Sequence, residues 1–242
     1  FAADSRRVYA LTGRLGLHPL WSIALDDGAR QMLMQSGNVA EFDVARDRIV
    51  FTMQGVSAPA DLHVIAGNAA PRRLTDINAS RLVDVRFGEA AQFSFTGAGG
   101  DKVFGYAVKP WNWQPGKKYP VAFIVHGGPQ SSFANTWSYR WNPQVYSGAG
   151  YGVVFIDFHG STGYGQAFTD SISGDWGGKP LEDLQKGLAA ALGQYDWLDG
   201  DRACALGASY GGYMINWIAG NWPDRFRCLV NHAGLFDHRS MY

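Results

Sequence analysis

Four apolar runs in the second half of the chain, "PVAFIVHGG", "GVVFIDFHG", "ACALGAS" and "CLVNHAG", limit its fold more than any other feature. Short continuous runs of this kind are strands buried on both faces, the situation of a parallel sheet covered by helices. Segments of helical pattern lie between them. One is expected around Trp137 to Ser147, and another is "PLEDLQKGLAAALGQYDWL", where Leu181, Leu184, Leu188 and Leu192 share one helical face. A third runs through "GGYMINWIAG", and "VFGYAVKP" adds a further strand ahead of the set. Strands alternating with helices predict a doubly wound α/β sheet.

The first 80 or so residues differ. "RVYALTG" and "PLWSIALDDG" alternate apolar and polar positions and end in turn residues, with the Asp-Gly pair suited to a tight hairpin. "RIVFTMQG" and "DLHVIAGN" read the same way. A shift of 41 positions sets Val8 on Ile49, Ala10 on Phe51, Ile23 on Val64 and Leu33 on Leu74. Four-stranded β-propeller blades repeat every ~40 to 45 residues, and each needs neighbours to bury its faces. The alternative is an ordinary antiparallel sheet with coincidental spacing. The expected division is therefore residues 1–81, the last strands or blades of a propeller, and residues 82–242, an α/β domain.

Composition removes several functions. Apolar residues make up 46% and charged residues 17%, enough for a packed core. Lys+Arg and Asp+Glu balance at 21 each with no basic run, which argues against nucleic-acid binding. No apolar stretch approaches the ~18 residues of a membrane span. The opening "FAADSRRVYA" is no signal peptide and reads as the interior of a longer protein. Cys204 and Cys228 are expected as a pair of buried free thiols on neighbouring parallel strands. The six histidines, at 18, 63, 126, 159, 232 and 238, lack metal-ligand spacing, so neither a metal nor another cofactor is expected.

"CALGASYGGYM" carries the chemistry. Ser209 stands between Gly207 and Gly211, where a buried strand meets a helix. A nucleophile projecting from so sharp a turn leaves no room for side chains two residues before and after it, which is the reason for G-x-S-x-G. With 31 glycines in 242 residues, about one serine in 60 would be flanked this way by chance, so the strand–turn–helix setting decides the reading. The helix that follows aims N–H groups at any negative charge developing there. "VHGGPQ" leaves its strand at the position of the loop that completes an oxyanion hole. Acyl transfer needs two such donors, expected here to be the N–H groups of Tyr210 and Gly128.

These residues resemble the prolyl oligopeptidase family of serine peptidases, particularly its dipeptidyl-peptidase and acylaminoacyl-peptidase branches. The resemblance rests on "HGGPQSSF", "DFHGSTGYGQAF", "GDWGGKPLEDL" and "GASYGGYM", in that order, and on "SAPADLHVIAGNAAPRRLTDIN" ahead of them. His159 departs from it, standing where the family more often has arginine. The resemblance implies a propeller capping an α/β-hydrolase, a peptide substrate, and a triad ordered serine, acid, histidine. It puts the acid and base well beyond the nucleophile, outside this chain. Asp224, His232, Asp237 and His238 are the local substitutes, with Asp237 the more plausible acid; His126 and His159 precede the serine, the wrong order for a base. The resemblance also makes Leu235, Phe236, Met241 and Tyr242 walls of the pocket for the side chain before the scissile bond. Two other readings use the same residues: a carboxylesterase, and a propeller-based binding protein whose hydrolase domain is inactive.

Overall fold

The structure, a computed structural model, describes residues 1–34, 37–237 and 239. The chain forms two compact units, Phe1–Val85 with Ala134–Asn142, and Arg86–Phe133 with Pro143–Tyr242. The first unit thus runs a few residues past the expected boundary at 81 and takes in a segment from the middle of the chain.

In the first unit, alternation sets the architecture. Strands β1 (Arg7–Leu11), β2 (Leu20–Ala24) and β3 (Arg30–Met32) form one antiparallel sheet. Strands β4 (Asn38–Ala45), β5 (Arg48–Gly55), β6 (Ala58–Ala66) and β7 (Arg72–Arg73) form a second in sequential order. Leu20, Met34, Val39, Ile49, Phe51 and Ile65 make a small core. The hairpin between β2 and β3 turns through Asp27-Gly28, with Gly28 at φ +71°, a conformation that glycine adopts without penalty. The 41-residue repeat sends β1 onto β5, β2 onto β6 and β3 onto β7. It slips by one residue between strands: Val8 pairs with Ile23, whereas Ile49 pairs with Ile65. A short helix, α1 (Ala79–Leu82), follows.

The second unit is built on a six-stranded mixed sheet. Its elements are β8 (Ala90–Thr96), β9 (Lys102–Val108), β10 (Tyr119–Val125), α2 (Pro143–Gly148), β11 (Gly152–Asp157), α3 (Gln166–Asp170), α4 (Lys179–Gln194), β12 (Leu198–Ala208), α5 (Tyr210–Asn221) and β13 (Cys228–His232). The strand order is β13-β12-β10-β11-β9-β8. The first four run parallel, and β9 and β8 are antiparallel. Helical crossovers are what parallel neighbours require, and the chain supplies them between β10 and β11, β11 and β12, and β12 and β13. All of β11 is buried, as are Val121 to Val125 of β10. Leu184 and Leu188 of α4 are fully buried against the sheet, with Leu181 and Leu192 packed at the margin.

Three expectations are corrected. The helix expected around Trp137 to Ser147 begins only at Pro143, a residue suited to a first helical position, and residues 137–142 belong to the first unit. The run "CLVNHAG" forms a strand, and among the described residues β13 is exposed along its length, lying at the sheet edge beside β12. Cys204 and Cys228 are not free thiols; they form a disulfide. The parallel register sets them directly opposite each other with Cα atoms 4.7 Å apart, inside the span a disulfide bridges.

Candidate active site

Ser209 sits between the end of β12 and the start of α5, at φ 56° and ψ −118°. A non-glycine residue rarely takes a positive φ, so the surrounding backbone must hold it there. That backbone is packed without side chains. A methyl on Gly207 would lie 2.5 Å from the Gly211 carbonyl oxygen, and one on Gly211 would lie 2.3 Å from the Val125 carbonyl oxygen. The ends of β10 and β12 and the first turn of α5 are thus in direct backbone contact. The Ser209 N–H donates to the His232 carbonyl at 3.0 Å, fixing the turn to β13. Ser209 itself is exposed, and its side chain does not cap α5.

The "HGGP" segment lies against this turn. A methyl on Gly127 would sit 2.9 Å from the Ala208 carbonyl oxygen and 3.4 Å from the Ser209 Cβ. Gly128 has φ +120°, and a methyl there would lie 2.8 Å from the Gln130 nitrogen, so both conformation and space demand glycine. Tyr210 opens α5, where the first N–H groups have no partner within the helix. Its ring is buried, and its hydroxyl donates to the Trp176 carbonyl at 2.7 Å. Burial, reinforced by the charges of nearby groups, raises the Tyr210 phenol above its ordinary value, so it stays protonated. Ser209, Tyr210 and the Gly127–Gly128 segment are therefore brought together.

The histidines ahead of the serine are committed elsewhere. His126 Nδ1–H donates to the Gly127 carbonyl at 2.7 Å, and Nε2 accepts from the Ser161 hydroxyl at 2.8 Å. Its ring stacks on Phe158 at 4.2 Å, and burial pushes its pKa down, against the charge of Asp157, which keeps the imidazole neutral. The His159 backbone N–H and Nδ1–H both meet the buried Asp183 carboxylate, at 2.7 and 2.6 Å, and Nε2 lies 3.1 Å from Asp101. In place of the family's arginine, His159 thus bridges two carboxylates.

The residues expected to wall a substrate pocket are less concentrated. Leu235 is half-buried just after β13, and Phe236 is 91% exposed. Met241, Tyr242 and His238 lie outside the described residues. Asp237 pairs with Arg239 at 3.1 Å. Sequence reasoning passed over Asp157 and Asn231. The Asn231 amide accepts the Gly234 N–H and donates to the Gly212 carbonyl and to Asn216 Oδ1, tying the exit of β13 to α5. Asp157 was legible as the one charged residue in the run "GVVFID".

Comparison with known proteins adds an independent line. The prolyl oligopeptidase family profile matches residues 137–242. Dipeptidyl-peptidase 5 of Schizosaccharomyces pombe is 51% identical over 144 residues, 59% of this chain and 21% of that protein. "Probable dipeptidyl-peptidase 5" of Aspergillus clavatus is 35% identical over 230 residues, 93% of this chain and 32% of that protein. Acylaminoacyl peptidase of Pyrococcus horikoshii superposes with a TM-score of 0.85 at 26% identity, covering 95% of this chain and 36% of that one. A solved acylaminoacyl peptidase in complex with Z-Gly-Gly-Phe-chloromethyl ketone superposes at 0.82 with 27% identity, covering 92% of this chain and 35% of its own. The chain spans about a fifth to a third of the length of the curated relatives it matches. The mixed sheet with its parallel core and the antiparallel sheets ahead of it follow the pattern of these peptidases. The chain belongs to the prolyl oligopeptidase (S9) family of serine-type peptidases, as a relative of dipeptidyl-peptidase 5 and acylaminoacyl peptidase.

Proposed function

We propose that the chain is part of an oligopeptide-cleaving serine peptidase of dipeptidyl- or acylaminoacyl-peptidase type, with Ser209 as its nucleophile. The observation that carries this is the Ser209 turn: an exposed serine whose backbone is held at φ 56° where glycine-only contacts join two strands and a helix. In this reading Ser209 attacks the peptide carbonyl, an acyl-enzyme forms, and water hydrolyses it. The Tyr210 and Gly128 N–H groups take the negative charge of the tetrahedral intermediate. In this reading both donors belong to backbone, and donors that are fixed before substrate arrives need not reorganise during the reaction.

The base and its orienting acid are assigned to the rest of the protein, because the chain spans only about a fifth to a third of its relatives' length. Both ring nitrogens of His126 and of His159 are already engaged, which supports that assignment. The first unit is read as the end of a propeller, its two sheets being successive blades. Leu235 and Phe236 are read as walls of a hydrophobic pocket for the residue before the scissile bond. The phenylalanyl ligand in the solved acylaminoacyl peptidase supports that preference. The Cys204–Cys228 disulfide supports an oxidising compartment.

The test uses the full-length protein. A fluorophosphonate should label it on Ser209, and Ser209→Ala should abolish both labelling and cleavage of dipeptidyl and N-acylated substrates. Labelling that persists at equal rate in Ser209→Ala removes the assignment. Turnover of simple esters without peptide amides replaces peptidase by carboxylesterase.

A further inference from the structure

The proposed mechanism uses one N–H of the segment between His126 and Phe133, yet that segment has no regular secondary structure and contains two adjacent glycines. Something outside it must hold it still. The second quoted motif, "DFHGSTGYGQAF", does so at three levels. The Ser161 hydroxyl meets His126 Nε2 at 2.8 Å, and the Thr162 N–H donates to the Ser131 carbonyl at 2.9 Å. The third level is Asp157, the last residue of β11 and 3% exposed.

Its carboxylate gathers donors from both segments. Oδ2 accepts the Ser132 hydroxyl at 2.6 Å and the Tyr164 hydroxyl at 2.6 Å. Oδ1 accepts the Phe133 N–H at 3.3 Å, and His126 Nε2 lies 3.9 Å from it. Among the described residues no lysine or arginine is within ion-pair distance, and burial keeps the His126 ring neutral. A buried carboxylate without a cation is a costly way to fill space; an apolar residue would stabilise the fold more cheaply. An ionised carboxylate offers acceptors only and makes short charge-assisted bonds, so it fixes several donors tightly at once.

We propose that Asp157 is the positioning residue of the oxyanion loop: by holding Ser132, Phe133 and Tyr164 it fixes the 126–133 segment so that the Gly128 N–H meets the charge developing on the substrate carbonyl. The proposal rests on the reading of Ser209 and Gly128 given above. In Asp157→Asn one of the two acceptor oxygens becomes an NH2 donor, so either the Ser132 and Tyr164 hydroxyls or the Phe133 N–H meets a donor, and the bonds that remain are longer and weaker. The loop then keeps its place in the fold but not its fixed geometry.

The experiment compares full-length wild type with Asp157→Asn, Ser132→Ala and Tyr164→Phe. Active sites are titrated with a fluorophosphonate, so that turnover is expressed per labelled site. A peptide aldehyde ending in a hydrophobic residue serves as the transition-state mimic, because its hemiacetal oxygen occupies the oxyanion position. Loss of one oxyanion donor costs on the order of 100-fold in kcat, and Asp157→Asn should approach that with KM changed less than about threefold. Aldehyde affinity should fall in parallel with kcat/KM. Ser132→Ala and Tyr164→Phe should each cost about three- to tenfold by the same readouts. A purely structural role would lower the labelled fraction and leave per-site turnover and aldehyde affinity unchanged, and that result overturns the proposal. If Asp157→Asn does not fold, unchanged per-site turnover in both milder variants overturns it equally. Wild-type protein that carries no label on Ser209 overturns the underlying mechanism instead, which keeps the two failures distinct.

Discussion

The Ser209 turn and the 126–133 loop lie side by side at the carboxyl ends of β12 and β10, and they are held by different means. The turn is fixed by the absence of atoms. Gly207, Gly211 and Gly127 let three backbone segments approach until a single methyl would collide with a carbonyl oxygen. The loop is fixed by the presence of polar groups, with His126, Ser161 and Asp157 filling its surroundings with hydrogen bonds. Steric fixation tolerates no substitution and has no dependence on charge. Polar fixation can be weakened one bond at a time. A turn that must hold a strained backbone suits the first; a loop with the proposed task of aiming one N–H suits the second.

The sharpest way to break the comparison is Gly211→Ala. Gly211 lies in a helix, where alanine is intrinsically better by ~1 kcal/mol. If that gain dominated, the steric account would be wrong. The added methyl would lie 2.3 Å from the Val125 carbonyl oxygen and 3.0 Å from that of His126, and backbone cannot rotate aside as a side chain can. A net loss above ~4 kcal/mol is expected, in the range of severe backbone strain. Thermal unfolding checks stability, and fluorophosphonate labelling should vanish with it. A variant as stable as wild type would show that the turn has slack.

The disulfide tests a second support of the same turn. Cys204 lies on β12 and Cys228 on β13, whose His232 carbonyl takes the Ser209 N–H. β13 is exposed along its length, so in this structure the bridge and the strand hydrogen bonds do much of the work of holding it. A crosslink across 24 residues stabilises by about 3 kcal/mol on loop-closure grounds. The double variant Cys204→Ala/Cys228→Ala should lose about that much, measured by urea unfolding without reductant. Reduction of the wild type should reproduce the loss. If labelling of Ser209 falls alongside stability, the turn depends on β13; if only stability falls, the glycine contacts suffice.

Much of this was legible in the sequence, and the exceptions have physical reasons. Continuous apolar runs gave β10, β11 and β12, because a strand buried on both faces has little choice of residue. The glycine spacing around Ser209 was readable for the same reason: only one residue type fits. For β13 the apolar run marked the strand, and its exposure belongs to the edge position that it holds among the described strands. The disulfide was missed because neighbouring parallel strands rarely meet disulfide geometry, whereas here the register sets Cys204 directly opposite Cys228 with Cα atoms 4.7 Å apart. Asp157 escaped notice because its partners Ser132, Phe133 and Tyr164 come from two loops that meet only in the fold.

The smallest expected effect on stability belongs to Phe236, and that makes it the cleanest probe of substrate preference. Its side chain is 91% exposed, so it contributes little to the core described here. Phe236→Ala should change stability by less than ~0.5 kcal/mol, as for other exposed positions. If the ring helps to line the pocket for the residue before the scissile bond, its loss removes apolar surface that only a bound substrate would cover. Trimming such a pocket shifts discrimination by ~1–3 kcal/mol, about 10- to 200-fold in relative kcat/KM between a large and a small hydrophobic residue. A charged side chain should be rejected before and after, since the site would desolvate it without a partner. The measurement is a panel of dipeptidyl and N-acylated substrates with alanine, leucine, phenylalanine, lysine and aspartate at that position, assayed on the full-length enzyme. An unchanged preference in a variant of unchanged stability would mean that Phe236 faces solvent in the working enzyme, leaving the half-buried Leu235 as the wall to test next.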